Sequence, residues 1–373
     1  MTVFARNDTS PLGRWWWTVD RWTVSALSLL IAVGVLLVLA ATPSVAERLT
    51  LDPYHLAWRH IAYVALAIAV LLGVSLLSPP STRWLALAVF ALAVAGIVVA
   101  LVLGAETKGA RRWIDLGPLS VQPSEFVKPS CAIVVAWLLA RHRETGRAEL
   151  GAAATGLVVL VLGLLFLQPD IGMATVILAA WYVQLLIAGL SLPWVVALTA
   201  GACGLAVAAY LLLPHVASRI DRFLDPASGD NFQVETSLQA FMNGGIFGRG
   251  PGQGTIKGVL PDAHADFIFA VAGEEFGLVA CLLILALFAF VVLRGLSHAL
   301  NETNLFVMVA VTGLAVQFGL QAVVHMGSSL RLLPAKGMTL PFISYGGSSL
   351  IAVALAMGLL LALTRRRIGD ERP

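Results

Sequence analysis

The stretch Leu260-Pro-Asp-Ala-His-Ala-Asp-Phe-Ile-Phe-Ala270, followed by Gly273-Glu274-Glu275, runs into an apolar segment that ends near Leu293. Acidic groups and a histidine therefore stand at the mouth of a segment long enough to cross a bilayer, which takes about 20 residues. A charge at the centre of a membrane helix costs roughly 2.5–3.5 kcal/mol on insertion scales, so one kept there is a functional candidate. Asp266, at the expected boundary between water and hydrocarbon, is the foremost candidate.

Composition extends this reading to the whole chain. Of 373 residues, 59% are hydrophobic and 12% charged, which excludes a soluble core and fits a polytopic membrane protein. Uncharged apolar windows recur at Val24–Ala41, Ile61–Ser78, Trp84–Leu103, Leu150–Leu167, Ile171–Leu213, Leu305–Val324 and Pro341–Thr364. The run Ile171–Leu213 is too long for one helix, and Gly189-Leu-Ser-Leu-Pro193 divides it. Two more spans carry charge: Ser124–Ala140 with Lys128, and Phe267–Leu293 with Glu274 and Glu275. The expected fold is all-α, with about ten transmembrane helices. The period-2 alternation of a membrane β-barrel is absent.

An even count puts both termini on one face. Half of the chain's 24 basic residues then fall in the tails and short loops of that face, which assigns it to the cytoplasm. Residues 1–22 and 365–373 become cytoplasmic tails around a transmembrane domain at 23–364. Its outer loops are 105–123 and, between the seventh and eighth helices, 214–265. Trp15-Trp16-Trp17 and Trp22 precede the first span as an interfacial belt would, and that span reads as an uncleaved anchor. The basic residues left on the outer face point to an anionic ligand there. Cys131, Cys203 and Cys281 lie inside predicted spans and are spaced for neither a metal nor a disulfide framework.

The two outer loops hold most of the polar chemistry. The larger is too long to be wholly structureless. Its glycines, from Gly244 to Gly254, serve either turns or a close backbone approach to a ligand or helix. No Gly-Lys-Ser/Thr opens a helix, so a nucleotide is not implied. In the smaller loop, Arg111 and Arg112 suit phosphate oxygens, and Trp113 offers a flat face to a sugar or lipid. Glu125 and Lys128, at i and i+3, either neutralise each other or leave Lys128 for an acidic partner or a pyrophosphate. Asp170, in Gln168-Pro-Asp-Ile-Gly172, reads as a helix cap, and a cap is the alternative for Asp266 as well. At least one of Glu274 and Glu275 is expected to pair with Arg or Lys from a neighbouring span. Small residues in Pro341-Phe-Ile-Ser344-Tyr345-Gly-Gly-Ser348-Ser349 permit close helix packing, while Tyr345 and Lys336 are placed to line a site.

Five motifs stand in order: Lys108-Gly-Ala-Arg-Arg-Trp-Ile114, Gln122-Pro-Ser-Glu-Phe-Val-Lys128, Gln168-Pro-Asp-Ile-Gly172, Leu260 to Ala270, and Pro341 to Ser349. Together they resemble the SEDS family (shape, elongation, division and sporulation) over nearly the whole chain. Pro334-Ala-Lys-Gly-Met-Thr-Leu-Pro341 and the N-terminal extension are closer to its division members than to its elongation members. The resemblance implies a peptidoglycan glycosyltransferase that polymerises lipid II on the outer face of a bacterial cytoplasmic (inner) membrane, at the division septum. Its implied partners are a single-pass class B penicillin-binding protein and other divisome membrane proteins, with no nucleic acid. An elongation-type polymerase, a lipid II flippase and a non-catalytic division scaffold are the alternatives.

The resemblance also carries site residues. Asp266 matches the essential aspartate of the family, and Arg59, Trp113, Glu125, Lys128 and Asp170 match motif positions around the same cavity. Arg111, Arg112, Gln122, His264, Lys336, Ser344 and Tyr345 complete the expected substrate-binding set. The chain departs from the pattern at Ala265, where Thr or Ser is common, and at Asp262, where Glu is common. The pyrophosphate-linked substrate supplies its own driving force, so no cofactor is required. A divalent cation is compatible with the chemistry, but no motif specifies one.

Overall fold

The computed structural model describes residues 10–48, 50, 52–106, 109–115, 117, 120–225, 231–334 and 337–366. It is a helical bundle. A short helix α1 (Pro11–Thr18) leads into α2 (Arg21–Arg48), α3 (His55–Ser75) and α4 (Pro79–Leu103). A two-stranded hairpin, β1 (Ile114–Asp115) against β2 (Ser120–Val121), precedes α5 (Pro123–Thr145), α6 (Ala148–Leu167), α7 (Ile171–Ile187) and α8 (Leu192–Leu212). The segments α9 (Pro214–Leu224) and α10 (Phe232–Gly244) lie in the large outer loop, ahead of α11 (Ile268–Leu300), α12 (Leu305–Ser329) and α13 (Gly347–Thr364). Among the described residues, nine helices are long and apolar enough to cross a membrane, and α7, with 17 residues, is apolar but shorter.

Local chemistry sets the boundaries. Ser78 caps α4, its Oγ accepting from the Ser81 amide at 3.4 Å, and proline follows within the first turn. Gly189 turns out of α7 with φ 82°, and α8 opens with Pro193 in its first turn, so the long apolar run divides at the expected break. At the bundle centre α5, α12 and α13 are mostly buried, whereas α8 buries none of its residues. An apolar helix so exposed is stable only where lipid replaces water. Close packing of α13 on α3 needs glycine: a Cβ on Gly347 would strike the Tyr63 ring, and one on Gly358 would lie 2.9 Å from Leu71 O.

Both ends of the described chain meet at one end of the bundle. The Arg366 amide donates to Thr18 O at 3.0 Å, and Trp15 Nε1 donates to Ser75 Oγ at 2.8 Å. Trp15 is therefore buried in the bundle, whereas Trp22 remains exposed, as a belt residue does. Asp20 accepts from Arg294 Nε and Nη2 at 2.5 and 2.7 Å, and from Thr23 Oγ1 at 2.6 Å. Burial pushes the Asp20 carboxyl up, but hydrogen bonds from His298, Arg294 and Thr23 outweigh it and hold the carboxyl well below the usual carboxylate range.

Two expectations are corrected at the other end. The helix beginning near Phe267 is two pieces, broken at Gly277 (φ 75°, ψ −171°). Glu274 and Glu275 bond not to a neighbouring span but to the outer loop. That loop folds back onto α11, so its amides and Lys257 reach the buried carboxylates before any span does.

Candidate active site

A cavity of about 880 Å³ opens among the outer ends of the helices. Its lining includes residues from the first turns of α5, α7, α10 and α13, the second turn of α3, and the entry to α11. Four spanning or apolar helices (α5, α7, α11 and α13) thus begin at the wall of one space, while α3 lines it from its second and third turns. The partial positive charge of each end favours an anion there.

Asp266 lines this cavity from the turn that leads into α11. The amides of Ala265 and Asp266 both donate to Asp262 O at 2.9 Å, closing the turn, and Asp262 itself takes the left-handed φ of 51° that aspartate tolerates. The N-cap position of α11 falls on Phe267 without a side-chain capping bond, so helix capping does not explain Asp266. Its carboxylate packs on Gly337, where a Cβ would lie 2.9 Å from Oδ2.

The segment before α13 splints this turn. Ser344 Oγ donates to Ala265 O at 2.6 Å and accepts from the Leu340 amide at 2.8 Å, and the Tyr345 amide donates to His264 O at 2.9 Å. Ser344 is therefore buried in backbone bonding and does not line the cavity. His264 is buried against the Tyr345 ring, with centroids 5.1 Å apart, and is also absent from the lining. Burial lowers the His264 pKa, Asp262 opposes that shift and Arg48 adds to it. Tyr345 does line the cavity, beside Arg59; burial raises its phenol pKa, Arg59 lowers it and Tyr63 raises it again.

Of the two readings of Glu125 and Lys128, the geometry shows the internal pair. The pair is closed at 2.7 Å and buried, yet Glu125 still lines the cavity. Lys128 does not line it, because Nζ donates to Gln321 Oε1 at 2.7 Å below the floor. Gln321 Nε2 continues to Thr339 O at 3.0 Å, and Thr339 Oγ1 to Ser349 Oγ at 2.6 Å, so the ammonium supports lining residues from beneath. Asp170 likewise has two roles. It caps α7 through the Met173 amide at 3.2 Å and faces the cavity 3.8 Å from Arg112 Nη1.

The two arginines of the first loop part company. Arg112 lines the cavity, but its Nε and Nη2 donate to Gln168 O and Pro169 O at 2.9 and 2.7 Å, clamping the turn that carries Asp170. Arg111 lies outside the lining, half exposed and 4.0 Å from Glu106. Trp113, Gln122 and Arg59 line the cavity. Lys336 and Lys108 lie outside the described residues. Among the described residues, no three His, Cys, Asp or Glu side chains cluster to hold a metal ion.

Against known proteins, residues 21–368 match the profile of the FtsW, RodA and SpoVE cell cycle proteins. This chain belongs to that family. A probable peptidoglycan glycosyltransferase FtsW of Caulobacter vibrioides is 39% identical over 368 residues, covering 98% of this chain and 94% of its own. A chain solved in a peptidoglycan synthase complex that coordinates polymerization and crosslinking superposes with a TM-score of 0.76 at 30% identity, covering 93% of this chain and 97% of its own. The rod shape determining protein RodA of Thermus thermophilus superposes with a TM-score of 0.70 at 29% identity, covering 94% and 97%.

In this FtsW/RodA/SpoVE member the cavity also takes in Tyr63, Asn231, Gln233 and Arg331, which the motifs leave out, and Thr339 and Ser349, which lie inside motifs but outside the expected site set. Of these, only Arg331 had a signal in the sequence, as one of the basic residues on the outer face. The others are polar or aromatic residues in the body of α3, at helix starts and in the segment before α13, of kinds too common to single out.

Proposed function

We propose that this protein is a septal peptidoglycan glycosyltransferase, polymerising lipid II on the outer face of the cytoplasmic membrane. The observation that carries the proposal is the position of Asp266, at the mouth of α11 in a cavity at whose wall α5, α7, α11 and α13 begin. A lipid-anchored disaccharide pyrophosphate matches each part of that cavity. Its polar head meets helix N-termini and cations at the outer end, while its chain remains in the bilayer.

The acceptor GlcNAc 4-hydroxyl is a weak nucleophile, so it needs a base within hydrogen-bond reach. Asp266 takes the hydroxyl proton as the oxygen bonds to the anomeric carbon of the donor MurNAc. The bond from that carbon to the pyrophosphate oxygen breaks, and undecaprenyl pyrophosphate leaves with the electron pair. Arg59, Arg331 and the helix N-termini meet its developing charge. Trp113 offers its ring to a sugar face, and Glu125 and Asp170 are acceptors for sugar hydroxyls. No step requires a nucleotide.

The partner we propose is a class B penicillin-binding protein, in keeping with the synthase complex in which the structural relative was solved. A flippase would need polar groups along a path to the opposite face, whereas the cavity lining comes from one end of the bundle. The identity to FtsW proteins over nearly the full chain favours the division role over the elongation role.

The test is lipid II polymerisation by the chain with its cognate penicillin-binding protein, the transpeptidase serine disabled. Wild type should form glycan strands and Asp266→Asn should not. Equal polymer from both would move the base elsewhere. No polymer from either, with the complex intact and lipid II bound, would point to flippase or scaffold.

A further inference from the structure

The break at Gly277 leaves the outer piece of α11, residues 268–276, as a half-helix of about two and a half turns, with Asp266 at its entry. Breaking the ladder frees backbone groups that the glycine-rich loop takes up. The Arg249 and Gly250 amides donate to Glu274 O and Glu275 O at 2.9 and 3.0 Å, and the Leu278 and Val279 amides donate to Gly245 O and Ile246 O at 2.9 and 3.2 Å. Gly248, at φ 81°, lies so close to the Glu275 backbone that no side chain fits there.

Side chains lock the same joint. Glu274 is fully buried and accepts from the Thr255 and Ile256 amides at 3.0 and 3.1 Å. Glu275, also fully buried, accepts from the Gly252 amide at 3.0 Å and from Lys257 Nζ at 2.5 Å. Lys257 Nζ reaches on to Ala40 O of α2 at 2.9 Å, and Arg48 Nη2, from the end of α2, holds Leu260 O at 3.0 Å just ahead of the Asp262 turn. The half-helix is thus oriented by the loop and by α2, not by an unbroken ladder with the rest of α11.

We propose that Lys257 and Glu275 are positioning residues for Asp266. Their ion pair fixes the outer half-helix of α11 to α2, and so sets where the Asp266 carboxylate stands in the cavity. The inference rests on Asp266 being the base. A buried pair is no more stabilising than well-packed apolar side chains, but it is directional, and a base must stand within hydrogen-bond reach of the proton it takes. Displacement by about 1 Å lowers turnover on the order of a hundredfold.

The test uses the full chain with its penicillin-binding partner and lipid II. Lys257→Met removes the cation, and the double variant Lys257→Gln/Glu275→Gln replaces the pair with neutral hydrogen-bonding groups, leaving no lone buried charge. Both should lower kcat by roughly 10- to 100-fold, with KM within about twofold. Hydrogen exchange should rise across 262–276 and stay unchanged in α12 and α13. A double variant with wild-type kcat per folded molecule and unchanged exchange would overturn the proposal, as would a loss confined to the folded fraction. If Lys257→Met fails to fold, the double variant decides. If wild type makes no polymer, or Asp266→Asn matches it, the functional reading has failed, and exchange over 262–276 alone decides whether the pair holds the turn.

Discussion

The two ends of the bundle use charge in opposite ways. At the end where the chain's described termini meet, Asp20 is surrounded by Arg294, Thr23 and His298. Each group there answers another, and the cluster ties the approach to α2 to the far end of α11. At the other end Arg59, Arg331, Glu125, Asp170, Asp262 and Asp266 border a space of about 880 Å³. The difference teaches that charge in a membrane protein is not by itself evidence of chemistry. The Asp20 cluster holds chain segments together and does not line that space. The charges at the other end, some of them paired as Glu125 is with Lys128, also border a space that a ligand can enter.

The comparison can be broken most directly at Asp266. Asp266→Asn should lower polymerisation by about 10²–10⁴-fold, the range for loss of a general base, with an unchanged melting temperature. At Arg331, substitution by Gln should reduce kcat/KM by about tenfold or more, as expected for one charge-assisted contact of about 1.5–3 kcal/mol, again without loss of fold.

Asp20→Asn should do the reverse. Thermal unfolding should reveal a loss of about 2 kcal/mol, from hydrogen bonds to a charged group, while polymerisation per folded molecule stays near wild type. A large loss of turnover per folded molecule would mean the two ends are coupled.

The pH dependence sharpens the same contrast. The folded Asp20 carboxyl titrates below its ordinary value of 3.8. Its contribution to stability is therefore complete above that value and is lost as pH falls through it toward the folded one. The difference in melting temperature between wild type and Asp20→Asn should be full at neutral pH and should shrink below about pH 4. The smallest effect is expected at the Trp15–Ser75 bond, where Ser75→Ala should cost about 1 kcal/mol.

Local pattern accounts for most of the fold that could be read beforehand. Apolar windows, the Gly189–Pro193 break and the proline-led helix starts are properties of neighbouring residues, and the helices follow them closely. The motifs also carried the family, the candidate aspartate, and the Glu125–Lys128 and Asp170 contacts, since pairing at i+3 and capping are local too. Pairing between distant segments was not legible. Nothing in the order of residues says that Lys257 reaches Glu275, that Lys128 turns to Gln321, or that Arg111 and Arg112 separate. Nor does it say that Gly277 breaks α11, because glycine in an apolar run is as compatible with a continuous helix. A buried charge or a broken ladder takes whichever partner the packing brings within about 3 Å, and that choice exists only once the helices are assembled. The sequence determined a membrane bundle with one acidic residue at a decisive boundary. The tertiary structure decided which charges answer one another and which of them also border the cavity.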